Sequence, residues 1–244
     1  MVRDTILAVT LALSLLGPAA AASADAGRAV TEQARAEFRA GMVQSDIGEL
    51  LELIRQRFPD DYQAFETEML AHGSLRPEDQ GWMKARTLAF LGDLDDRLKP
   101  ARAVAPDAAV VEMGRQKLAL MQAARPLSTR LCYEYVEAEH PTTEALEPVH
   151  VALRAQIFRH MTAKMRAGMA GERTPTPRAE PSREDVVALV QAFTARGGDM
   201  AWFKGLGTRQ PSVFTDAQRC DFAIAWQDAM LSQPADRAAR LLVR

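Results

Sequence analysis

The chain carries one amphipathic helical segment after another, and this pattern constrains its fold more than any other feature. Apolar residues recur every three or four positions from about residue 28 onward, which is the spacing of helices with one buried face. No stretch of useful length alternates apolar and polar residues as a half-buried strand does. Helix-forming Ala, Arg, Leu, Glu and Met are abundant, whereas β-branched and aromatic residues are scarce. We therefore predict an all-α fold, a single bundle-like domain of about seven to nine helices.

Local signals mark where several of these helices begin and end. Asp46 with Glu49 and Thr215 with Gln218 have the spacing of capping boxes, and Ser182 is suited to open a further helix. Helix ends are predicted at prolines and glycines that break the pattern, namely Pro59, Pro100, Pro126 and Gly197.

The first 24 residues are predicted to be a secretory signal peptide and not part of the fold. Arg3 supplies a short basic region, and Ile6 to Leu16 form an apolar run within the usual length of roughly 7–15 residues. This run is shorter than the roughly 18 apolar residues expected of a membrane-spanning helix. Small residues follow it, so we expect cleavage within residues 22–26. The mature chain, residues 25–244, is then expected in the periplasm or the medium, without an integral membrane segment.

The chain contains two cysteines, Cys132 and Cys220. In an oxidising compartment an isolated pair most often forms a disulfide, and the long loop it closes would be worth roughly 4–5 kcal/mol. Two buried free thiols or a redox pair are the alternatives, although the wide spacing argues against a redox motif and against haem attachment. A disulfide would fasten the segment after residues 171–183 to an earlier helix. That Pro-rich, charged stretch is therefore predicted to be an exposed loop within one domain.

Charge and motif content exclude several classes of function. The net charge of −2 gives no sign of the basic surface that nucleic-acid-binding proteins present, so no nucleic-acid partner is expected. The sequence lacks a Gly-x-Ser-x-Gly nucleophile motif and a His-Glu-x-x-His zinc motif. No cofactor is predicted, and the interpretation leans away from an enzyme.

A repeated Glu-x-x-His pattern is the first weak metal candidate. Glu137 precedes His140 by three residues, and Glu147 precedes His150 in the same way. Helical bundles hold metal pairs with this spacing, but only where both residues lie inside regular helix and point inward. Here a proline follows one copy and interrupts the other, which spoils that geometry. The favoured interpretation is an acidic, solvated corner over residues 134–150. Its carboxylates would be balanced by arginines of a neighbouring helix, by a loosely bound divalent cation or by a basic partner.

A methionine stripe is the second weak metal candidate. Met161, Met165 and Met169 follow His160 at intervals of one helical turn. Thioether and imidazole ligands suit Cu(I). The same spacing also builds a core stripe, in which methionine fills irregular gaps, and this second interpretation is favoured.

A glycine-rich stretch near the C-terminus is a weak candidate for a partner or ligand loop. It contains two glycines between cationic and aromatic residues, namely Trp202, Lys204, Gly205, Gly207 and Arg209. Such a loop could expose backbone amides to an anion, but it lacks a phosphate-loop motif. An ordinary loop anchored by its aromatic residues is the simpler interpretation.

The leading functional prediction is an exported helical protein that works by binding or scaffolding another periplasmic or envelope protein. The alternative is a periplasmic metal-handling protein that uses the acidic corner or the methionine stripe. The third possibility is an enzyme with an unrecognised site.

Overall fold

The computed structural model describes residues 31–72, 80–137, 151–201 and 214–243. In these ranges the chain forms ten helices and no strand, which confirms the predicted all-α class with more helices than expected. The helices are α1 (Glu32–Val43), α2 (Gly48–Arg57), α3 (Pro59–His72), α4 (Gln80–Arg102), α5 (Asp107–Ala124), α6 (Thr129–Glu137), α7 (Arg154–Arg173), α8 (Arg183–Ala195), α9 (Asp216–Leu231) and α10 (Ala235–Leu242). No helix in the described ranges is both long enough and apolar enough to cross a bilayer.

The chain divides into two compact units, and the division falls within α4, between Leu91 and Gly92. Unit 1 contains α1, α2, α3 and the first part of α4, and unit 2 contains the remaining helices. Each unit has buried apolar residues of its own. One helical domain over residues 25–244 stays a prediction.

Unit 1 has a core built mainly by α2 and α3, which pack against each other. The apolar positions of α2 recur at helical spacing, so Leu50, Leu51 and Ile54 are all buried. The ring of Phe65 on α3 stacks on that of Phe90, with 4.4 Å between the ring centroids. Periodic apolar residues on short helices thus account for this core.

Helix α1 is held on unit 1 by charge as well as by packing. All of α1 is described, and none of its residues is fully buried. Its Arg35 and Arg39 instead bind Glu66 of α3, whose side chain is completely inaccessible to solvent. The shortest distances are 2.5 Å from Arg35 Nη1 to Glu66 Oε2 and 2.6 Å from Arg39 Nε to Glu66 Oε1.

Unit 2 is organised around α5, which packs against α6, α7, α9 and α10. The predicted disulfide between Cys132 and Cys220 is present, and it joins α6 to α9 across 5.6 Å between the two Cα atoms. Both cysteines are fully buried in a cluster with Leu120, Met121 and other apolar residues. The bond therefore ties two helices that are far apart in sequence into one core.

Two helix starts follow the predicted local signals, and one does not. Thr215 forms a capping box with Gln218 at the start of α9, and Ser182 opens α8 in the same way. The predicted Asp46 cap is wrong, since α2 begins at Gly48 without a side-chain cap. The chain turns tightly after α1 there. A Cβ atom on Gly48 would lie 2.8 Å from the carbonyl oxygen of Met42.

The irregular segment after α7 is shorter than the exposed loop predicted from the sequence at residues 171–183. Helix α7 continues to Arg173, so the irregular part of residues 171–183 begins at Thr174. Most of its residues are exposed, but Arg178 folds back, with Nε 3.0 Å from a carboxylate oxygen of Asp107. The amide of Thr176 also donates to the carbonyl oxygen of Val104 at 2.7 Å. These contacts fasten the loop to unit 2.

Candidate functional site

Several of the predicted site residues lie outside the described part of the chain. The backbone of α6 is described to Glu137, but the side chain of Glu137 is not, and neither are His140, Glu147 and His150. The glycine-rich loop lies outside it entirely, with Trp202, Lys204, Gly205, Gly207 and Arg209. The cation site at the acidic corner and the role of the loop stay predictions. Among the described residues, no three His, Cys, Asp or Glu side chains cluster as metal ligands do.

The methionine stripe runs along α7, and its two C-terminal members lie in the core of the protein. Met165 and Met169 are buried, while Met161 is half-buried and packs against the cluster that contains the disulfide. These positions agree with methionine as a filler of irregular core space.

Helix α7 also lies very close to the last part of α4, and two glycines permit this approach. A Cβ atom on Gly168 would lie 2.6 Å from the Cβ atom of Leu98. One on Gly171 would collide with the carbonyl group of Ala101, 2.7 Å from its carbon. Gly168 faces Leu98, and three residues later Gly171 faces Ala101, so α4 and α7 run parallel here. Any larger residue would push the helices apart.

One turn before Gly168, this approach creates a buried group of charges. Asp95 on α4 accepts hydrogen bonds from Lys164 Nζ at 2.7 Å and from Arg102 Nη1 at 2.5 Å. The side chains of Asp95, Arg102 and Lys164 are only 5%, 9% and 12% exposed. Charges so shielded from water are costly unless they are well paired. Asp95 therefore has to stay paired with Arg102 and Lys164 in the folded protein.

His160 lies one turn before Lys164 on the same face of α7 and extends this group. The residue is half-buried, but its ring nitrogen Nδ1 is shielded from solvent and has no hydrogen-bond partner among the described residues. The ring hydrogen-bonds the backbone of Met113 on α5. Burial, and then the charges of Lys164, Lys117 and Arg102, lower the pKa of His160 to about 3. The imidazole is therefore neutral near pH 7.

The positive surroundings of His160 bear on the predicted Cu(I) site. The same nearby cations that disfavour a proton on the ring also repel a metal cation. Met161 and Met165 lie one and five positions beyond His160, so neither has the three- or four-residue spacing that places side chains on one helix face with His160.

Helix α8 provides a second candidate site, on the surface of unit 2. Its Leu189 and Phe193 are buried against α9 and α10. Its Val186 and Val187 are 41% and 48% exposed. Adjacent exposed valines on a helix that already buries its apolar face are candidates for contact with another molecule.

Ion pairs join both ends of helix α8 to neighbouring helices. Near its N-terminus, Asp185 accepts hydrogen bonds from Arg237 Nε at 2.7 Å and Arg240 Nε at 3.0 Å. The bond from Arg240 is the main cause that holds the pKa of the Asp185 carboxyl well below its usual range. Just after its C-terminus, Arg196 Nε lies 2.6 Å from a carboxylate oxygen of Asp228 on α9. The helix that carries the two valines is therefore held in place against α9 and α10.

No family model, characterised protein or solved structure matches this chain. The charged group around His160 and the valine surface of α8 are the two features of the molecule that bear on its function.

His160 is a candidate from the sequence alone, but the charged residues near it on α4 and α7 are not. A signal was available for Asp95, which interrupts the buried apolar series Leu94 and Leu98 on α4. Lys164 likewise follows His160 at helical spacing. Charged residues on the buried face of a helix are seldom without buried partners. The identity of those partners depends on which helices meet, and no local pattern contains that information.

Proposed function

We propose that this is an exported helical protein that binds another protein of the cell envelope through the valine surface of α8. The observation that carries the proposal is the exposure of Val186 and Val187 on a helix that already buries Leu189 and Phe193. Covering these side chains with a partner stabilises the complex by roughly 25 cal/mol for each Å² of apolar surface removed from water.

The ion pairs at the two ends of α8 suit a role in binding. A helix held by ion pairs at both ends loses little conformational freedom when a partner docks, and this lowers the entropic cost of binding. Exposed apolar side chains on a helix are a common element of protein recognition. The partner would accordingly offer an apolar groove or a second apolar helix face.

Export is supported by two features that are independent of α8. The N-terminal 24 residues have the layout of a secretory signal. The second feature is the buried disulfide, because disulfides are typical of oxidising compartments and thiols in the cytosol are kept reduced. We infer that the partner is another periplasmic, envelope or secreted protein.

The test is affinity capture with the mature, disulfide-bonded protein and with a matched surface variant. The Val186→Lys/Val187→Lys variant alters only exposed side chains, so its helical circular dichroism and melting temperature should stay close to those of the wild type. A partner retained by the wild type and lost from this variant would support the proposal. Equal capture by both proteins would reject α8 as the binding surface.

A further inference from the structure

We propose that α1 is an exchangeable helix, and that its docking surface on unit 1 also binds α1 of a second copy of this chain, which produces a helix-exchanged dimer. The docking surface is the part of α2 and α3 that α1 covers, with Glu66 at its centre. Two features carry the proposal, the side chains that α1 presents to this surface and the turn that joins α1 to α2. Neither involves the proposed role of α8.

Helix α1 contacts unit 1 in the manner of a bound helical peptide. The larger side chains on its half-buried face are Arg35, Phe38, Arg39 and Met42. They have the i, i+3, i+4, i+7 spacing of the anchor residues of a helix that docks on another protein. No residue of α1 is fully buried. The helix can therefore leave unit 1 without withdrawing a side chain from the buried core of α2 and α3.

Glu66 determines what has to replace α1 when it leaves. Its side chain is inaccessible to solvent and is paired with Arg35 and Arg39 of α1. Arg35 Nη2 also donates to the hydroxyl of Thr67 at 2.9 Å. A carboxylate in this position is costly without cationic partners, so the replacing helix has to supply two cations one turn apart. The α1 helix of a second copy supplies both, and the exchanged dimer keeps every contact that α1 makes with the docking surface.

The turn at residues 44–47 determines whether α1 packs on its own chain. The amide and the hydroxyl of Ser45 both donate to the carbonyl oxygen of Met42, at 3.1 and 2.6 Å, and the amide of Gly48 donates to the carbonyl oxygen of Ser45 at 2.9 Å. The first and last residues of the turn have right-handed helical backbone angles. Straightening the turn would join α1 and α2 into one continuous helix. In that form α1 is carried away from its own docking surface and can reach that of another copy.

Gly48 favours the closed form of this turn. A Cβ atom there would lie 2.5 Å from the carbonyl oxygen of Val43 and 2.8 Å from that of Met42, so the closed turn has no room for a side chain. A continuous helix has room for one, and alanine stabilises a helix interior more than glycine does. Replacing Gly48 should therefore shift the chain from the closed monomer to the exchanged dimer.

Sedimentation equilibrium of the full-length mature protein, with its disulfide intact, tests this shift from micromolar to millimolar concentrations. Gly48→Ala should lower the dimer dissociation constant at least about tenfold relative to the wild type, because both chains of the dimer escape the collision. Gly81→Ala is the matched control in unit 1, since its Cβ position meets open space, and it should leave the equilibrium unchanged. A Gly48→Ala protein that stays monomeric throughout, or an equal effect of Gly81→Ala, would overturn the proposal.

A mixing experiment distinguishes exchange of α1 from any other dimer and does not depend on Gly48→Ala. One chain carries Arg35→Met/Arg39→Met and retains Glu66, and the other carries Glu66→Leu and retains both arginines. Exchange places the α1 arginines of the second chain on Glu66 of the first, so native mass spectrometry of the mixture should show heterodimer above the proportion expected from random pairing. A random or smaller proportion of heterodimer would refute the exchange.

Discussion

The ion pairs that hold α1 on unit 1 provide a quantitative test of how charge supports this fold. The change is the double substitution Arg35→Met/Arg39→Met, which removes both cations from Glu66 and retains side chains that favour helix. Glu66 is fully inaccessible to solvent, whereas the side chains of Arg35 and Arg39 are 12% and 40% exposed. The double variant therefore leaves a buried carboxylate without its charged partners.

The size of the effect follows from the burial of Glu66. Removing the partners of a buried charge typically costs about 3–5 kcal/mol, and we expect a loss of this size in the free energy of unfolding of unit 1. The triple variant, with Glu66→Leu added, has no charge left to bury. It should recover most of the loss, because apolar replacement of a whole buried ion pair is often neutral or stabilising.

An exposed ion pair in the same unit is the matched control. Arg55 and Glu52 on α2 are 2.6 Å apart, and their side chains are 43% and 36% exposed. Arg55→Met should change stability by no more than about 1 kcal/mol. Native-state hydrogen exchange of the amides in α1, α2 and α3 measures unit 1 by itself. The reasoning fails if the double variant costs no more than Arg55→Met, or if the triple variant is as unstable as the double.

Three further predictions concern unit 2 and can be checked by urea denaturation and, for the disulfide, by thiol titration. Gly171→Ala should destabilise the protein by about 1–3 kcal/mol because its methyl group collides with α4, whereas Gly92→Ala, with open space at its Cβ position, should stabilise it by about 0.5–1 kcal/mol; equal shifts of the urea midpoint would contradict this. Because the pKa of His160 is lowered in the folded protein, only the unfolded chain binds this proton between pH 6.5 and about 3, and the free energy of unfolding should fall by about 1.4 kcal/mol for each unit that the pH is lowered. The variant His160→Gln should lose this part of the pH dependence, and an unchanged pH dependence would refute the prediction. Denatured, unreduced protein should contain no titratable thiol, and replacing Cys132 and Cys220 by serine should cost roughly 4–5 kcal/mol for the loop that they close; two titratable thiols would disprove the bond in the mature protein.

Local sequence signals were sufficient for the fold class and for several helix boundaries. The capping boxes at Ser182 and Thr215 depend only on residues three positions apart, so the sequence alone contains them. The helix end predicted at Pro126 is also confirmed, since α5 ends at Ala124. Gly197 has a positive φ of 79° just after α8, the conformation that glycine tolerates best at a helix end.

The errors arose where distant residues override a local signal. Helix α4 continues through Pro100 to Arg102 because a proline in the last turn removes only one hydrogen bond, while Arg102 is fixed by its ion pair with Asp95. The contact of Asp95 with Lys164, in contrast, requires the parallel approach of α4 and α7. The sequence contains the two glycines that permit this approach, but it does not state which helix they face.

The valine surface of α8 is the central functional claim, and site-specific photo-cross-linking in living cells tests it most directly. A photoreactive residue at position 187 should give a discrete cross-linked product with one envelope protein. The same residue at position 130, where Arg130 is exposed on α6, should not give that product. Absence of a product from position 187, or the same product from both positions, would contradict the claim that α8 is the binding surface.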